Sequence, residues 1–287
     1  MIEFIKVLIL GIVEGITEWL PVSSTGHLIL VDEFLKLNAT DAFKEMFDVV
    51  IQFGAIMAVV VLYWSKLFPF GKKNNEHPLS ADGFGAYIKT DIFSMWFKVL
   101  VACVPAAIVG VLFDDMLNAV FYNWQTVAIM LILFGVIFIV VERRNRTRKP
   151  VFTSIDSMPY CVAMMIGAFQ LIAAVFPGTS RSGATIVGAL LIGVARTTAA
   201  EFTFYLAVPV MFGASLLKLV KFFAESGRMS GTETAMLLLG MAVAFAVSIF
   251  VIRFIMNYIK KHDFTVFGWY RIVLGILVLL YFGVIAK

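Results

Sequence analysis

The chain has 287 residues, of which 61% are hydrophobic and only 15% charged, with a mean hydropathy of +0.95 and a formal net charge of +4. Water-soluble domains carry roughly a quarter charged residues, so this composition excludes one and makes the bilayer the solvent to reason in. Its two cysteines, Cys103 and Cys161, both lie in apolar stretches and exclude a disulfide framework.

The first element, residues 2 to 35, is apolar but interrupted by Glu14-Gly15-Ile16-Thr17-Glu18-Trp19-Leu20-Pro21-Val22-Ser23-Ser24-Thr25-Gly26-His27. Pro21 breaks it and leaves two halves too short to cross a hydrocarbon core of about 30 Å. Lys6 before an apolar run also fits a secretory signal peptide; Glu3, Glu14, Glu18 and the lack of a small-residue cleavage site weigh against that. Apolar segments of spanning length follow near 48–65, 98–113 and 124–141. A second interrupted segment, 158–195, carries Phe176-Pro177-Gly178-Thr179-Ser180-Arg181-Ser182-Gly183-Ala184-Thr185, and three more apolar segments lie near 202–220, 235–254 and 265–286. The fold class predicted is an all-α polytopic membrane protein with about six spanning helices and two broken helical hairpins. Broken helices persist at membrane depth only inside protein or beside a watery cavity.

Basic residues orient the spans through the positive-inside rule. They concentrate in Lys66, Lys72, Lys73, Lys89 and Lys98, in residues 143–149, and in Arg253, Lys260, Lys261 and His262. The loops around Asp114-Asp115 and Glu225 to Glu233 are acidic or near neutral, as an outer side requires. Strict alternation then makes 72–90, 143–149 and 260–263 cytoplasmic, puts both termini outside, and turns each broken segment into a re-entrant hairpin. The topogenic loops account for the net charge, so no nucleic-acid partner is implied, while anionic lipid headgroups gain from it.

The two interruptions read as one motif written twice. A shift of 156 residues superimposes Gly11 on Gly167, Glu14 on Gln170, Pro21 on Pro177, Ser23 on Thr179 and Ser24 on Ser180. Phe53-Gly54-Ala55 recurs as Phe212-Gly213-Ala214 at a shift of 159. The reading is one membrane domain built as an inverted repeat, 1–142 and 150–287, whose hairpins meet near the midplane, where such repeats bind ligands.

Glu14 and Glu18 are four apart and share a helix face. Such a pair can hold a hard divalent cation, or one member can polarise a hydroxyl or imidazole; the bland alternative is an interfacial helix with an acidic face in water. Ser23, Ser24 and Thr25 occupy N-cap positions of the next half-helix, whose free amides attract anions. Taken singly, these hydroxyls are structural more often than chemical; clustered with His27 and two carboxylates in fourteen residues, they point to a site. Arg181, flanked by Ser180 and Ser182, needs an anion: Glu14 or Glu18 serves structurally, a phosphate bidentately. Gly178 and Gly183 would let backbone amides approach that anion. Phosphoryl transfer needs this set of groups.

Both signatures resemble those of bacterial undecaprenyl-pyrophosphate phosphatases, the bacitracin-resistance family. The resemblance extends to Gln52-Phe53-Gly54-Ala55 and Glu201-Phe202-Thr203-Phe204 and covers the whole chain. It implies removal of the terminal phosphate of a C55 polyprenyl pyrophosphate in the bacterial inner membrane, at a site facing the periplasm or exterior. The lipid carrier would thereby return to cell-wall synthesis, with bacitracin resistance as a consequence. It assigns Glu14 and Glu18 to the acidic pair, Ser24 and His27 to the hydroxyl and imidazole, Arg181 to the phosphate clamp, and Ser23, Thr25, Ser180, Ser182, Gly183 and Thr185 to the lining. Ser24 is then the nucleophile or the group positioning water, with His27 or Glu18 handling the proton. Mg2+ or Ca2+ is the cofactor the resemblance implies, at Glu14 and Glu18. A homodimer stands as the candidate assembly, although the chain does not spell out an oligomeric state.

Two rival classes share parts of this pattern. Acid-phosphatase-like lipid phosphatases also contain Ser/Thr-Gly-His, but they place a nucleophilic His six positions after the Arg of Ser-Arg, where this chain has Val187. A polyprenyl-phosphate transporter or flippase would share the broken-helix plan. Phosphate release separates it from an enzyme. Gln52 and Glu201 are polar groups that could reach the site, and Asp114 and Asp115 read as a solvated outer loop.

Overall fold

The computed structural model describes residues 1–73 and 75–285, with the backbone alone at Asp114, Asp115, Asn118, Ser226 and Ile285. Its helices are α1 (Ile2–Thr17), α2 (Ser24–Phe34), α3 (Asp41–Leu62), the one-turn α4 (Trp64–Leu67), α5 (Thr90–Phe121), α6 (Trp124–Asn145), α7 (Tyr160–Val175), α8 (Arg181–Ile192), α9 (Arg196–Ser226), α10 (Gly231–Tyr258) and α11 (Thr265–Leu280). Among the described residues six helices, α3, α5, α6, α9, α10 and α11, are long and apolar enough to cross a membrane, the number expected. Side chains such as Val111, Leu112 and Phe250 are 66–72% exposed, a liability in water and the normal outer face of a polytopic membrane protein.

Helix starts depart from the apolar boundaries. The Thr40 side chain accepts from Phe43 N–H and starts α3 at Asp41, which puts Asp48 two turns inside rather than at the edge. Helix α5 runs from Thr90 through Asp114 and Asp115, whose backbone is helical where a loop was expected; their side chains lie outside the described residues. Lys98 is likewise no loop residue. It is buried in α5, and its ammonium reaches the carbonyls of Ile155 at 2.9 Å and Asp156 at 3.1 Å, a long side chain snorkelling out of the apolar zone.

The broken segments are α1 with α2 and α7 with α8, with lengths of 16, 11, 16 and 12 residues, or about 17 to 24 Å each. The ends of each segment meet: Asn38 N–H donates to Glu3 Oε2 at 2.8 Å, and Ala195 N–H donates to Phe152 O at 2.8 Å. The packing also pairs the two halves. Helix α1 lies on α10 as α7 lies on α5, while α3 meets α9 and α6 meets α11. Gly11 and Gly167 play matching parts, because a Cβ would come within 2.9 Å of the Gly240 carbonyl in one and 2.2 Å of the Ala102 carbonyl in the other.

The basic loops gather at one end. Lys66 pairs with Glu201 at 2.6 Å, Arg148, Lys149 and Lys260 line one cavity, and the Arg196 guanidinium grips Glu142 through two nitrogens. Glu201 also accepts from Tyr205 Oη at 2.6 Å. It therefore faces this basic end, not the hydroxyl cluster around Arg181. Gln52 donates to its own helix, at the Asp48 carbonyl.

Candidate active site

The two breaks place the site. After α1 the chain turns over Leu20 and Pro21, and after α7 it turns over Pro177 and Gly178; Gly178 has φ +89°, a left-handed conformation glycine adopts without cost. Each half-helix then starts at a serine with positive φ, Ser23 at 73° and Ser180 at 69°. Their hydroxyls accept from Gly26 N–H at 3.2 Å and Gly183 N–H at 3.1 Å. Left-handed backbone in a non-glycine residue costs about 1–3 kcal/mol, and both copies keep it where the caps form. This revises the alignment: Ser23 corresponds to Ser180 at a shift of 157, Thr25 to Ser182 and Gly26 to Gly183, with one residue added after Pro177.

Glu18 is the hub. Its Oε2 accepts from Ser24 Oγ–H at 2.8 Å, and its Oε1 accepts from Arg181 Nη2 at 2.8 Å. All three side chains are largely shielded, with Glu18 8% and Arg181 13% exposed. Arg181 Nη1 donates to the Thr203 carbonyl at 3.2 Å, while its Nε is buried without a partner among the described residues. Ser182 Oγ–H donates to the Glu18 carbonyl at 3.2 Å, tying α8 to the first break. Thr185 meets Thr203 Oγ1 at 2.9 Å and the Arg181 carbonyl at 3.0 Å, which fixes the helix below the guanidinium. The structure thus joins Glu18, Ser24, Arg181, Ser182 and Thr185. Thr25, half-buried in the first turn of α2, is not among the groups these bonds join.

Glu14 lies within electrostatic reach of Glu18, Arg181 and Asp48, and both of its carboxylate oxygens are buried without a hydrogen-bond partner among the described residues. Asp48 is a third carboxylate that sequence reading passed over. A lone Asp within an apolar run is itself the signal, and setting the span edge at 48 hid it.

His27 is engaged elsewhere. Its Nδ1 lies 2.7 Å from the Ser23 carbonyl, which can only accept, so Nδ1 carries the proton and Nε2 of the neutral ring accepts from Tyr270 Oη at 2.6 Å. The two rings stack at 5.6 Å and 4°. Gly183 does not offer its amide to an anion as expected, because Ser180 takes it; a Cβ there would meet Arg271 Nη1 at 3.0 Å.

Arg271 is the second residue missed. Fully buried on α11, it donates from Nη1 to the Pro21 carbonyl at 3.1 Å and from Nη2 to those of Gly178 at 2.9 Å and Thr179 at 2.7 Å. One guanidinium therefore staples both breaks together. Its sequence context, an apolar span, offered no partner to look for. Each buried carbonyl left unpaired costs about 1–3 kcal/mol, and a single ammonium cannot reach all three. Arg271→Met and Arg271→Lys are expected to lower the thermal unfolding midpoint in detergent and cut turnover at least tenfold; parental values for both would remove the staple.

The broken helices of this all-helical, multi-pass membrane protein bring together a guanidinium, a carboxylate-bound serine hydroxyl and two helix starts. The chain belongs to a family described as bacitracin resistance protein BacA, whose model matches residues 7–277. It is similar to the undecaprenyl-diphosphatase of Desulfitobacterium hafniense, 59% identical over 99% of this chain and 97% of that one. It is also 60% identical to undecaprenyl-diphosphatase 1 of Clostridium acetobutylicum, over 99% of both chains, and 61% identical to an undecaprenyl-diphosphatase of Enterococcus faecalis, over 97% of both.

Proposed function

We propose that this chain is an integral-membrane phosphatase that hydrolyses undecaprenyl pyrophosphate to undecaprenyl phosphate and inorganic phosphate. That reaction recycles the lipid carrier for cell-wall synthesis and gives bacitracin resistance. The observation that carries the reading is Glu18 holding Ser24 Oγ with one oxygen and Arg181 with the other. Ser24 Oγ attacks the terminal phosphorus as Glu18 takes its proton; the bond from phosphorus to the bridging oxygen breaks, and undecaprenyl phosphate leaves. Water then hydrolyses the phosphoserine and releases phosphate. Arg181 holds the terminal phosphoryl oxygens, and the Ser24 and Thr25 amides, at helix positions without an intrahelical acceptor, face the developing charge. Purified protein should release phosphate from C55 and C15 pyrophosphates and lose that activity in Glu18→Gln. A lipid transporter would release none.

A divalent cation, Mg2+ or Ca2+, fits at Glu14. Two buried, unpartnered carboxylate oxygens suit a hard cation, and Mg2+ is commonly held by one or two carboxylates plus substrate phosphate oxygens. Bound there, the cation would screen the pyrophosphate charge. Activity should vanish in chelator and return with added metal, with Glu14→Gln requiring more of it; full activity in chelator would reassign Glu14.

The inverted repeat, the re-entrant hairpins and a site open to the exterior of the bacterial inner membrane belong to the same reading. Its support is the meeting ends of each broken segment, the paired packing and the basic loops gathered at one end. In a background lacking Cys103 and Cys161, Thr147→Cys should react with impermeant reagent only in opened cells and Thr232→Cys in intact ones. Labelling of both in intact cells would overturn the topology.

A further inference from the structure

Between α2 and α11 runs a groove of about 640 Å³ lined almost wholly by apolar side chains, among them Leu30, Val31, Phe34, Leu274, Leu277 and Tyr281. Aromatic contacts between the two helices flank it. At one end His27 stacks on Tyr270, and at the other the Phe34 and Tyr281 rings lie 5.3 Å apart. On α2, His27, Leu30, Val31 and Phe34 follow at intervals of three and four, so the groove continues the face that carries His27. On α11, Tyr270, Leu274, Leu277 and Tyr281 do the same for Tyr270. The lining runs for about 8 Å along α2, from Leu30 to Leu35, and about 10 Å along α11 and its C-cap, from Leu274 to Tyr281. Its inner end, Leu30, lies six residues beyond Ser24 on α2, with His27 between them.

Resting on the site proposed above, we infer that this groove holds the first isoprene units of the lipid pyrophosphate, with the His27–Tyr270 contact as the threshold between tail and headgroup subsites. The chemistry suits that occupant. A substrate whose charged end is held at Ser24 and Arg181 carries a long methyl-branched apolar chain, and this groove begins beyond the His27–Tyr270 contact and opens on lipid-facing side chains, Phe34 being 67% and Leu277 55% exposed. Lipid tails are already in an apolar solvent, so the groove adds no hydrophobic gain of the kind water would give; it adds van der Waals fit and alignment. Its effect should therefore appear as selectivity for chain length, since binding energy made away from the reacting atoms orients them.

The test compares C15 and C5 pyrophosphates in detergent with parent, Val31→Trp and Leu277→Trp proteins. The ratio of kcat/KM for C15 over C5 should fall tenfold or more when the groove is filled, about 1.4 kcal/mol of lost selectivity. A ratio within twofold of the parent's, including equal losses on both substrates, would overturn the subsite. A C15 pyrophosphate bearing benzophenone at its tail should label residues 27–35 and 270–281, and excess unlabelled C15 pyrophosphate should suppress it. Labelling spread over other lipid-facing helices, or not suppressed, would mean bulk lipid occupies the groove. Hydrolysis of C5 pyrophosphate at parental rate by Arg181→Ala would sink the headgroup site and leave the chain-length ratio readable.

Discussion

Arg181→Lys should lose at least a hundredfold in kcat/KM for C15 pyrophosphate while eluting from gel filtration as the parent does. The three guanidinium nitrogens have separate positions: Nη2 on Glu18, Nη1 on the Thr203 carbonyl, and Nε buried without a partner among the described residues. An arriving phosphate can take Nε and one Nη together, a planar two-point hold that a lysine ammonium cannot copy. Loss of one preorganised donor at developing charge costs roughly 10² to 10³ in rate. Arg181→Ala should do worse, because it also leaves Glu18 buried and uncompensated, and breaking a buried pair costs about 3–5 kcal/mol. Near-parental turnover by Arg181→Lys would mean that only a point charge is needed.

Much of this was legible in the chain. Pro21 and Pro177 mark breaks because each sits in a polar interruption, whereas Pro105 and Pro209, in uninterrupted apolar runs, lie inside α5 and α9; the hydrophobic runs give six spans because length and composition suffice for that. Glu18, Ser24 and Arg181, which the structure joins, stood out in the sequence because polar groups are costly at that depth and clustered. What stayed hidden depends on side-chain direction. His27 and Glu18 stood as alternative proton acceptors in the sequence, but His27, one turn beyond Ser24, bonds to Tyr270, while Glu18 meets Ser24. Asp48 was lost to a misplaced helix start, Lys98 was counted as a loop charge, and the repeat was aligned one residue off because the caps align on backbone conformation, not on proline. Arg271, an arginine inside the last apolar segment, was itself a signal; what the sequence hid was its partners, which are backbone carbonyls.

Serine variants carry the other large effect. Ser24→Ala should abolish turnover, as its hydroxyl, 2.8 Å from Glu18 Oε2, is the one hydroxyl among the described residues bonded to the carboxylate of the proposed base. Glu18→Gln should be nearly as severe: it removes the proton acceptor and the charge that holds Arg181. His27→Gln should be milder, with a larger change in KM than in kcat, because both ring nitrogens bond to groups outside the Glu18–Ser24 pair. If His27→Gln is as dead as Ser24→Ala, the imidazole must turn toward the phosphate during reaction.

The most direct measurement is rapid acid quench of the purified protein with C15 pyrophosphate labelled in its terminal phosphate. Acid-stable, alkali-labile label on the peptide containing Ser24, absent from Ser24→Ala, is the expected result. Acid-labile, base-stable label on His27, or substantial turnover by Ser24→Ala, would contradict it.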